Sequence, residues 1–504
     1  MVNSSPTPAP PATRTPSGLD AFFEISARGS NVAREVRGGL VTFFTMAYIL
    51  ALNPLIIGTA TDVNGLLLSG LPKLDAAGQV IGANVATTIA MVAAATALIA
   101  GLMTILMGVY GRFPIGLATG LGLNAVLAYV LAPQMTWAQA MGLVVWEGVI
   151  ITILVLSGFR QAVFRAVPRS LRSGISVGIG LFIAFIGLVD AGVVRKASGT
   201  PVELGIGGSL QGWPIGIFLI TLGLLVLLFV RHVKGAMLIA ILSGTVLSVI
   251  VEAVAHIGAH DATDNPAGWM LNVPQFTSFS APNLGLIGRV DLFGGFAAAG
   301  GLGAGLGLVL IVFSLLLADF FDTMGTVVAV GAEGDLLDSS GNPPRTQEIL
   351  LVDSIAAMAG GVGSVSSNTS YIESAAGVGE GARTGLASVV TGAAFLLSLF
   401  LAPLVNMVPS EAAAPALFFV GFLMMSQVTH VDWDDPEEGI PAFLTLALMP
   451  FTYSITAGIG AGFISYTLIK LVRGKASAVH PLMYVVAGLF VIYFAQGAIL
   501  GWLG

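Results

Sequence analysis

The sequence predicts an all-α polytopic membrane protein of about fourteen transmembrane segments, arranged as two inverted seven-span repeats with broken third and tenth spans. Three observations predict it. The 504 residues are 56% hydrophobic and only 9% charged, with a mean hydropathy of +0.93, whereas soluble domains carry about 25% charged residues. Apolar stretches of about 17 to 25 residues alternate with short polar loops, the length a helix needs to cross hydrocarbon; barrel strands would alternate over about ten. The stretches also fall into two sets on either side of a polar interval.

Taken in order, residues 1–20 open with a Pro/Ser/Thr-rich run, Met1 to Ala12, expected to be a disordered cytoplasmic tail without the apolar core of a signal peptide. Residues 21–256 form the first repeat, spans 1–7, at about 39–58, 84–110, 115–132, 137–157, 172–190, 213–230 and 235–256. Residues 257–303 are an extramembrane connection with an amphipathic stretch around Val290 to Ala299. Residues 304–504 form the second repeat, spans 8–14, at about 304–331, 347–363, 364–380, 382–407, 412–430, 440–472 and 480–503. An odd number of spans per repeat places the second copy upside down, as in many secondary transporters. Faint internal similarity supports the repeat: Phe43-Phe-Thr-Met-Ala47 opens the first set, and Phe320-Phe-Asp-Thr-Met-Gly325 lies in the first helix of the second.

Both third segments are poor helices. Pro114 to Asn124 is studded with Gly, and Gly360 to Ser370 is rich in Gly and Ser. Unwound backbone at membrane depth survives only where it lines a cavity or is buried in protein, so these paired defects point to one central site. Asn53-Pro54 marks the kinked end of the first helix.

The chain has no Cys, which excludes disulfides and thiolate metal or redox sites, and only five His. Its net charge of −7 comes largely from acids in solvated loops such as Glu333 to Asp338 and Asp432 to Glu438. Arg28, Arg34, Arg37, Arg112, Arg160, Arg165, Arg169, Arg172, Arg231, Lys234, Arg345 and Arg383 fall on one side, which makes the N-terminus cytoplasmic in the plasma (inner) membrane. Lys470, Arg473 and Lys475 break the pattern unless a half-crossing near Pro450 returns them to the same side. The Gly-rich run Gly301 to Gly307 precedes no strand and offers no phosphate loop, so nucleotide hydrolysis within this chain is excluded as the energy source.

Two acids carry the functional signal. An ionisable group inside a span is costly and ordinarily faces a cavity, where it binds or relays something. Asp319, Asp322 and Thr326, spaced three and four apart, share one helical face, which should look into the protein. Asp319 serves equally well as a helix-end acid bonded to a neighbour. Glu373 follows the Ser/Gly-rich break. Ser370-Tyr-Ile-Glu373 fits a capping box, but a helix beginning at membrane depth also aims free amides into the cavity, and a ligand-binding carboxylate is the preferred reading. Tyr371 either stacks on a planar ligand or packs. Asn124 either caps its half-helix or hydrogen-bonds across helices and is counted among the candidate substrate-binding residues, and Trp146, Glu147 and Asp353 read as interhelical partners or interfacial residues.

The run Phe22 to Pro54, the segment Asp319-Phe-Phe-Asp-Thr-Met-Gly-Thr326 and the segment Thr369-Ser-Tyr-Ile-Glu-Ser-Ala-Ala-Gly-Val378 resemble the AzgA-like purine permeases of the nucleobase/cation symporter, nucleobase/ascorbate transporter group. The resemblance covers nearly all of the chain after residue 20. It implies a core domain (spans 1–4 and 8–11) and a gate domain (spans 5–7 and 12–14), with substrate carboxylates at Asp322 and Glu373 and further lining from Thr326, Tyr371 and Asn124. It also implies proton symport through Asp322 or Glu373, no cofactor or metal, and a homodimer formed through the gate domain in the lipid bilayer, with no nucleic-acid partner. Two positions depart from its pattern, Thr119 where relatives often carry Pro and Ala457 where they often carry Asn, and they leave the preferred purine open.

The expected function is therefore proton-coupled import of hypoxanthine, guanine or adenine. The rivals are a transporter of the same fold for uracil, xanthine or an anion, and a membrane-embedded enzyme. An anion or carboxylate exchanger would want a cation at the half-helix ends, yet no Arg or Lys lies between 351 and 382. The enzyme would need a nucleophile with a base or a metal cluster, and the five His fall at or near loops.

Overall fold

A computed structural model describes residues 18–157, 167–197, 199–261, 264–274, 281–298, 302–338 and 342–503. The expected tail lies outside the described residues up to residue 17, and its last three residues begin a helix, Gly18–Phe23. Arg160, Arg165, Ala299 and Gly301 also lie outside them. Ten helices among the described residues are long and apolar enough to cross a membrane. The remaining expected segments are the shorter helix Thr346–Val362, the two broken segments and the terminal helix Pro481–Leu503.

The first span is two helices, Val32–Met46 and Ile49–Thr59, with the break at Ala47 and Tyr48. The break therefore lies ahead of Asn53-Pro54, not at it. Proline removes its own amide and crowds the carbonyl four residues earlier, so the strain falls on the preceding turn. Pro54 itself sits inside the second helix. Asn53 is an interhelical anchor, donating to Thr96 Oγ1 at 2.8 Å and to the Val365 carbonyl at 3.2 Å.

The two Gly-rich segments meet in the centre. Leu117–Thr119 and Asn368–Ser370 pair as short antiparallel strands, Leu117 opposite Ser370 and Thr119 opposite Asn368. Gly120 N donates to Ser367 O at 2.9 Å and Tyr371 N to Gly116 O at 3.0 Å, extending the ladder at both ends. Two short helices, Leu121–Val126 and Ser374–Gly379, leave the pair. Small residues let the surrounding helices close on it. Gly108 and Gly385 bring Gly82–Leu106 and its continuation so near Gly385–Ser398 that a Cβ on either glycine would strike backbone of the other.

The helices form two packed groups. One contains the first four segments with Leu302–Glu333, Thr346–Val362, the second broken segment and Gly385–Met407; the other contains Arg169–Asp190 packed on Ser410–Met425 and Pro436–Thr452, with their neighbours. The interval 257–303 contributes no helix of spanning length among its described residues; its one helix there is Gly294–Ala298.

The expected single segment at 440–472 is a hairpin. Pro436–Thr452 and Ile455–Val472 turn back on each other at Tyr453, a left-handed residue with φ 56°. Its open ends are joined by Glu437, which receives Lys470 at 2.8 Å, Arg473 at 2.9 Å and Lys475 at 2.6 Å, while Glu438 accepts from Ser170. Ser170 opens the same helix as Arg169 and Arg172, so the three late cations join the other basic residues on one face. On that face Arg28 also donates to the carbonyls of Arg112 and Arg383, and Arg37 and Lys234 pair with Glu380. The opposite face holds Lys73, Arg195, Lys196 and Arg289.

Because the chain lacks Cys, single-cysteine labelling tests the hairpin directly. Lys475→Cys should react with an impermeant thiol reagent from the same side as Arg34→Cys, and Asp75→Cys from the other. Labelling of position 475 together with position 75 would mean that the hairpin is a full crossing.

Candidate functional site

A cavity of about 930 Å³ lies between the two packed groups, within the usual range for small-molecule sites. One wall is Tyr48, Gly120 to Leu123, one face of Leu302–Glu333 that includes Asp319, Asp322 and Thr326, and Thr369 to Glu373; the other is one face of Arg169–Asp190, one face of Ser410–Met425 with the turn that follows it, and Ile455. Arg169, Arg172, Gln427 and His430 place its mouth at the basic face. Beyond its opposite end the two groups are joined by Tyr129, whose hydroxyl donates to Asp190 Oδ2 at 3.0 Å. The hairpin turn adds Tyr453, with its ring 6.2 Å from that of Tyr129 and 5.2 Å from that of Phe182.

The long helix Leu302–Glu333 carries Asp319, Asp322 and Thr326 to the cavity on one face, as the spacing predicts. Their surroundings differ. Asp322 is open to the cavity, and no described residue donates a hydrogen bond to it. Asp319, one turn away, is 1% exposed, and neither carboxyl oxygen has a hydrogen-bonding partner among the described residues. Thr326 is 6% exposed at the wall.

Glu373 precedes the helix Ser374–Gly379 and makes no capping bond with its own chain. The capping box expected from Ser370-Tyr-Ile-Glu373 does not form, because Ser370 is committed elsewhere: it belongs to the strand pair, and its hydroxyl donates to Asp353 Oδ1 at 2.8 Å. Instead Glu373 Oε1 accepts from the Tyr48 hydroxyl at 2.5 Å. Tyr371 packs across the two broken segments, donating its hydroxyl to Thr119 O at 2.6 Å, while its ring faces the cavity 6.4 Å from that of Tyr48. Asn124 is fully buried behind the wall and is not among the lining residues. It neither caps the half-helix, whose N-cap is Gly120, nor reaches the cavity, and its amide donates to Thr119 Oγ1 at 3.3 Å.

Behind the strands lies a second set of buried carboxyls. Asp353 accepts from Thr323 Oγ1 at 2.7 Å as well as from Ser370, and Glu147 accepts from Ser367 Oγ at 3.4 Å. Asp353 is thus an interhelical partner through Thr323, Glu147 ties its helix to the second broken segment, and Trp146 donates to Leu292 O at 2.8 Å in the turn ahead of Gly294–Ala298. No group of three or more His, Cys, Asp or Glu among the described residues is arranged to hold a metal ion. The residue that sequence reasoning missed is Tyr48. Its signal was a phenol at the end of Phe43-Phe-Thr-Met-Ala-Tyr48, inside an otherwise apolar span and ahead of a proline.

The comparisons with known proteins agree with one another. The model of a permease family, Xan_ur_permease, matches residues 33–461. Adenine permease AdeP of Escherichia coli K12 is 35% identical over 480 residues, 94% of this chain and 95% of the relative. Guanine/hypoxanthine permease PbuG of Bacillus subtilis is 35% identical over 480 residues, 94% of this chain and 99% of the relative. Among solved structures, the transmembrane domain of the cyanobacterial bicarbonate transporter BicA aligns with a TM-score of 0.55 at 16% identity, covering 86% of this chain and 97% of that one. The murine anion transporter Slc26a9 in its inward-facing state aligns at 0.57 with 12% identity, covering 92% and 74%. These structural likenesses establish the fold alone.

The hydrogen bonds at Asp353 predict a stability effect. Asp353→Leu strands the hydroxyl of Ser370 and leaves Thr323 with Thr369 alone, and a buried orphan costs about 1–3 kcal/mol. The purified variant should melt well below wild type in detergent, with Asp353→Asn intermediate because its amide oxygen still accepts one bond. Equal melting of all three proteins would show that the carboxylate does not hold the crossing.

Proposed function

Since the chain belongs to the Xan_ur_permease family, whose members are permeases and not enzymes, we propose that it imports purine nucleobases, hypoxanthine, guanine or adenine, by proton symport. The observation that carries the reading is the pairing of Asp322 and Glu373 on one cavity wall beside the rings of Tyr48 and Tyr371. A neutral purine presents ring N–H donors at two edges and a flat apolar face. Two carboxylates read the edges by hydrogen bonding while aromatic and aliphatic walls hold the face. The residues assigned to substrate are Asp322, Glu373, Thr326 and Tyr371. Asn124 acts through Thr119, on whose carbonyl Tyr371 rests.

Further support comes from how the cavity opens. With the basic face cytoplasmic by the charge rule, the N-terminus lies inside the plasma membrane and the cavity faces the cytoplasm. The group bearing the carboxylates is then the core domain, the group built on Arg169–Asp190 and Ser410–Met425 is the gate domain, and transport moves one against the other across the Tyr129–Asp190 contact. The inverted repeats 21–256 and 304–504 account for the two broken segments that meet at the centre. The gate domain is also the part through which two copies would dimerise.

Asp322 and Glu373 divide the work. Glu373 is held by the Tyr48 hydroxyl, a donor that favours a standing carboxylate. Asp322 is unbonded and open to the cavity, and is the group free to exchange a proton with the substrate site as the core domain moves. An anion substrate fits poorly, because the deep wall presents carboxylates and the cavity's arginines, Arg169 and Arg172, stand at its mouth.

Two measurements test this reading. Glu373→Gln should weaken hypoxanthine binding by roughly tenfold or more, the about 1.5–3 kcal/mol of a hydrogen bond to a charged group. Wild-type affinity in that variant would remove Glu373 from the site. In proteoliposomes, Asp322→Asn should retain purine exchange while losing accumulation driven by an inward proton gradient. If the variant still concentrates purine as the pH is stepped, the proton travels through another group, and uptake that needs sodium in place of a proton gradient would remove proton coupling altogether.

A further inference from the structure

Glu373 is oriented from outside its own segment, by the broken first span. The break at Ala47 and Tyr48 turns the Tyr48 side chain, only 2% exposed, onto Glu373 Oε1 at 2.5 Å. The approach is set by close backbone packing lower in the same helix. A Cβ on Gly38 would lie 2.7 Å from the Gly377 carbonyl, and one on Gly377 would strike Thr42 and Gly38. The first span and the helix carrying Glu373 are therefore held at a fixed separation, and the phenol bridges it. Thr45, one turn before Tyr48, also reaches the Glu373 carbonyl at 3.3 Å, although it has a nearer acceptor in Thr42 O at 2.9 Å.

A carboxylate offers two oxygens. Taking Glu373 as a purine-binding group, as proposed above, we infer that Tyr48 is a positioning and specificity residue: its bond fixes the carboxylate's orientation and takes one of the two acceptor sites of Oε1, leaving Oε2 the stronger acceptor, so the site favours purines whose recognised edge carries one donor over guanine, whose N1–H and 2-amino group lie side by side. Hypoxanthine presents N1–H alone beside an acceptor, and adenine presents its amino group beside an acceptor. Guanine would use both carboxylate oxygens in a parallel pair, the geometry by which planar donors engage a carboxylate most strongly. In that geometry it shares Oε1 with the phenol, and the second bond is made to an oxygen already weakened as an acceptor. Tyr48 touches Glu373 and lines the cavity, so its effect should appear in the ranking of purines and not only in overall affinity.

The experiment is competition of unlabelled adenine and guanine against radiolabelled hypoxanthine on the full-length protein in detergent, for wild type, Tyr48→Phe and Glu373→Gln. Wild type should bind hypoxanthine at least about threefold more tightly than guanine. Tyr48→Phe, which keeps the ring and removes one hydroxyl, should weaken hypoxanthine and adenine about five- to tenfold, the order of one hydrogen bond. Guanine should change by less than about twofold, so that the preference narrows or reverses. Guanine binding as tightly as hypoxanthine in wild type, or one common factor for all three purines in Tyr48→Phe, overturns the specificity role. If Glu373→Gln binds every purine as wild type does, the site assignment fails instead; if Glu373→Gln loses binding while Tyr48→Phe leaves the ranking unchanged, only the inference about Tyr48 fails.

Discussion

Everything about this site depends on one constraint: backbone amides and carbonyls that leave a helix at membrane depth must find partners inside the protein. Two chain segments break there, and each supplies what the other lacks. Leu117–Thr119 and Asn368–Ser370 exchange main-chain hydrogen bonds, and the ladder continues through Gly116, Gly120, Ser367 and Tyr371. The side chains of the strands then lock the surrounding helices. Ser370 and Thr323 hold Asp353, Ser367 holds Glu147, and Thr323 meets Thr369 at 2.8 Å. Because the crossing is satisfied internally, residues at its end are free for other work. Tyr371 and Glu373 follow the second strand directly, and Gly120 to Leu123 follow the first. The same irregularity that endangers the fold brings the candidate ligand groups to one wall.

Most of the architecture was legible because hydropathy in a membrane protein reports length and little else. Apolar runs bounded by loops located the spans to within a few residues, and the Gly- and Ser-rich runs located the two breaks. Asp322 and Glu373 stood out because charge inside apolar runs is rare. What was hidden depended on contacts remote in sequence. The Ser370-Tyr-Ile-Glu373 pattern suggested a capping box, but a pattern of four residues cannot register that Ser370 is already paired with Leu117 and bonded to Asp353. The kink of the first span was placed at Pro54, whereas the helix gives way a turn and a half earlier, and that displacement turns Tyr48 toward Glu373. The hairpin was legible only as an inconsistency, three cations on the wrong side, until Glu437 joined its ends.

The hairpin also explains how one end of the cavity closes while the other stays open. Its arms have 17 and 18 residues, against 22 in the neighbouring helix Arg169–Asp190. Its turn lies beside Phe182 and Phe185, inside that helix and short of its end at Asp190, and brings Tyr453 to Tyr129. Those rings and the Tyr129–Asp190 hydrogen bond make a compact seal of few contacts, while the carboxylate-bearing wall is tied to its own group by many. A seal so built can part without disturbing the crossing strands. In the proposed transport cycle, motion between the groups carries the carboxylate-bearing wall as a unit and changes which face the cavity opens to.

The fold leaves the chemistry of the cargo undetermined. A bicarbonate transporter and an anion transporter share this architecture at 16% and 12% identity, so helix number, paired breaks and a cavity between two bodies say nothing about charge preference. The side chains at the breaks do. In this chain the second break ends in Glu373, the facing helix contributes Asp322, and the stretch from 351 to 382 contains no Lys or Arg. A half-helix start attracts an anion through its free amides. Here the amides of Ser374, Ala375 and Ala376 are already bonded to backbone carbonyls, and the side chains that face the cavity are acceptors, Glu373 and Asp322, which leaves the ligand to supply hydrogen-bond donors. On the proposed reading, a neutral, flat, donor-bearing heterocycle satisfies this wall without burying a new charge. The carboxylates thus convert an anion-attracting scaffold into one suited to a nucleobase.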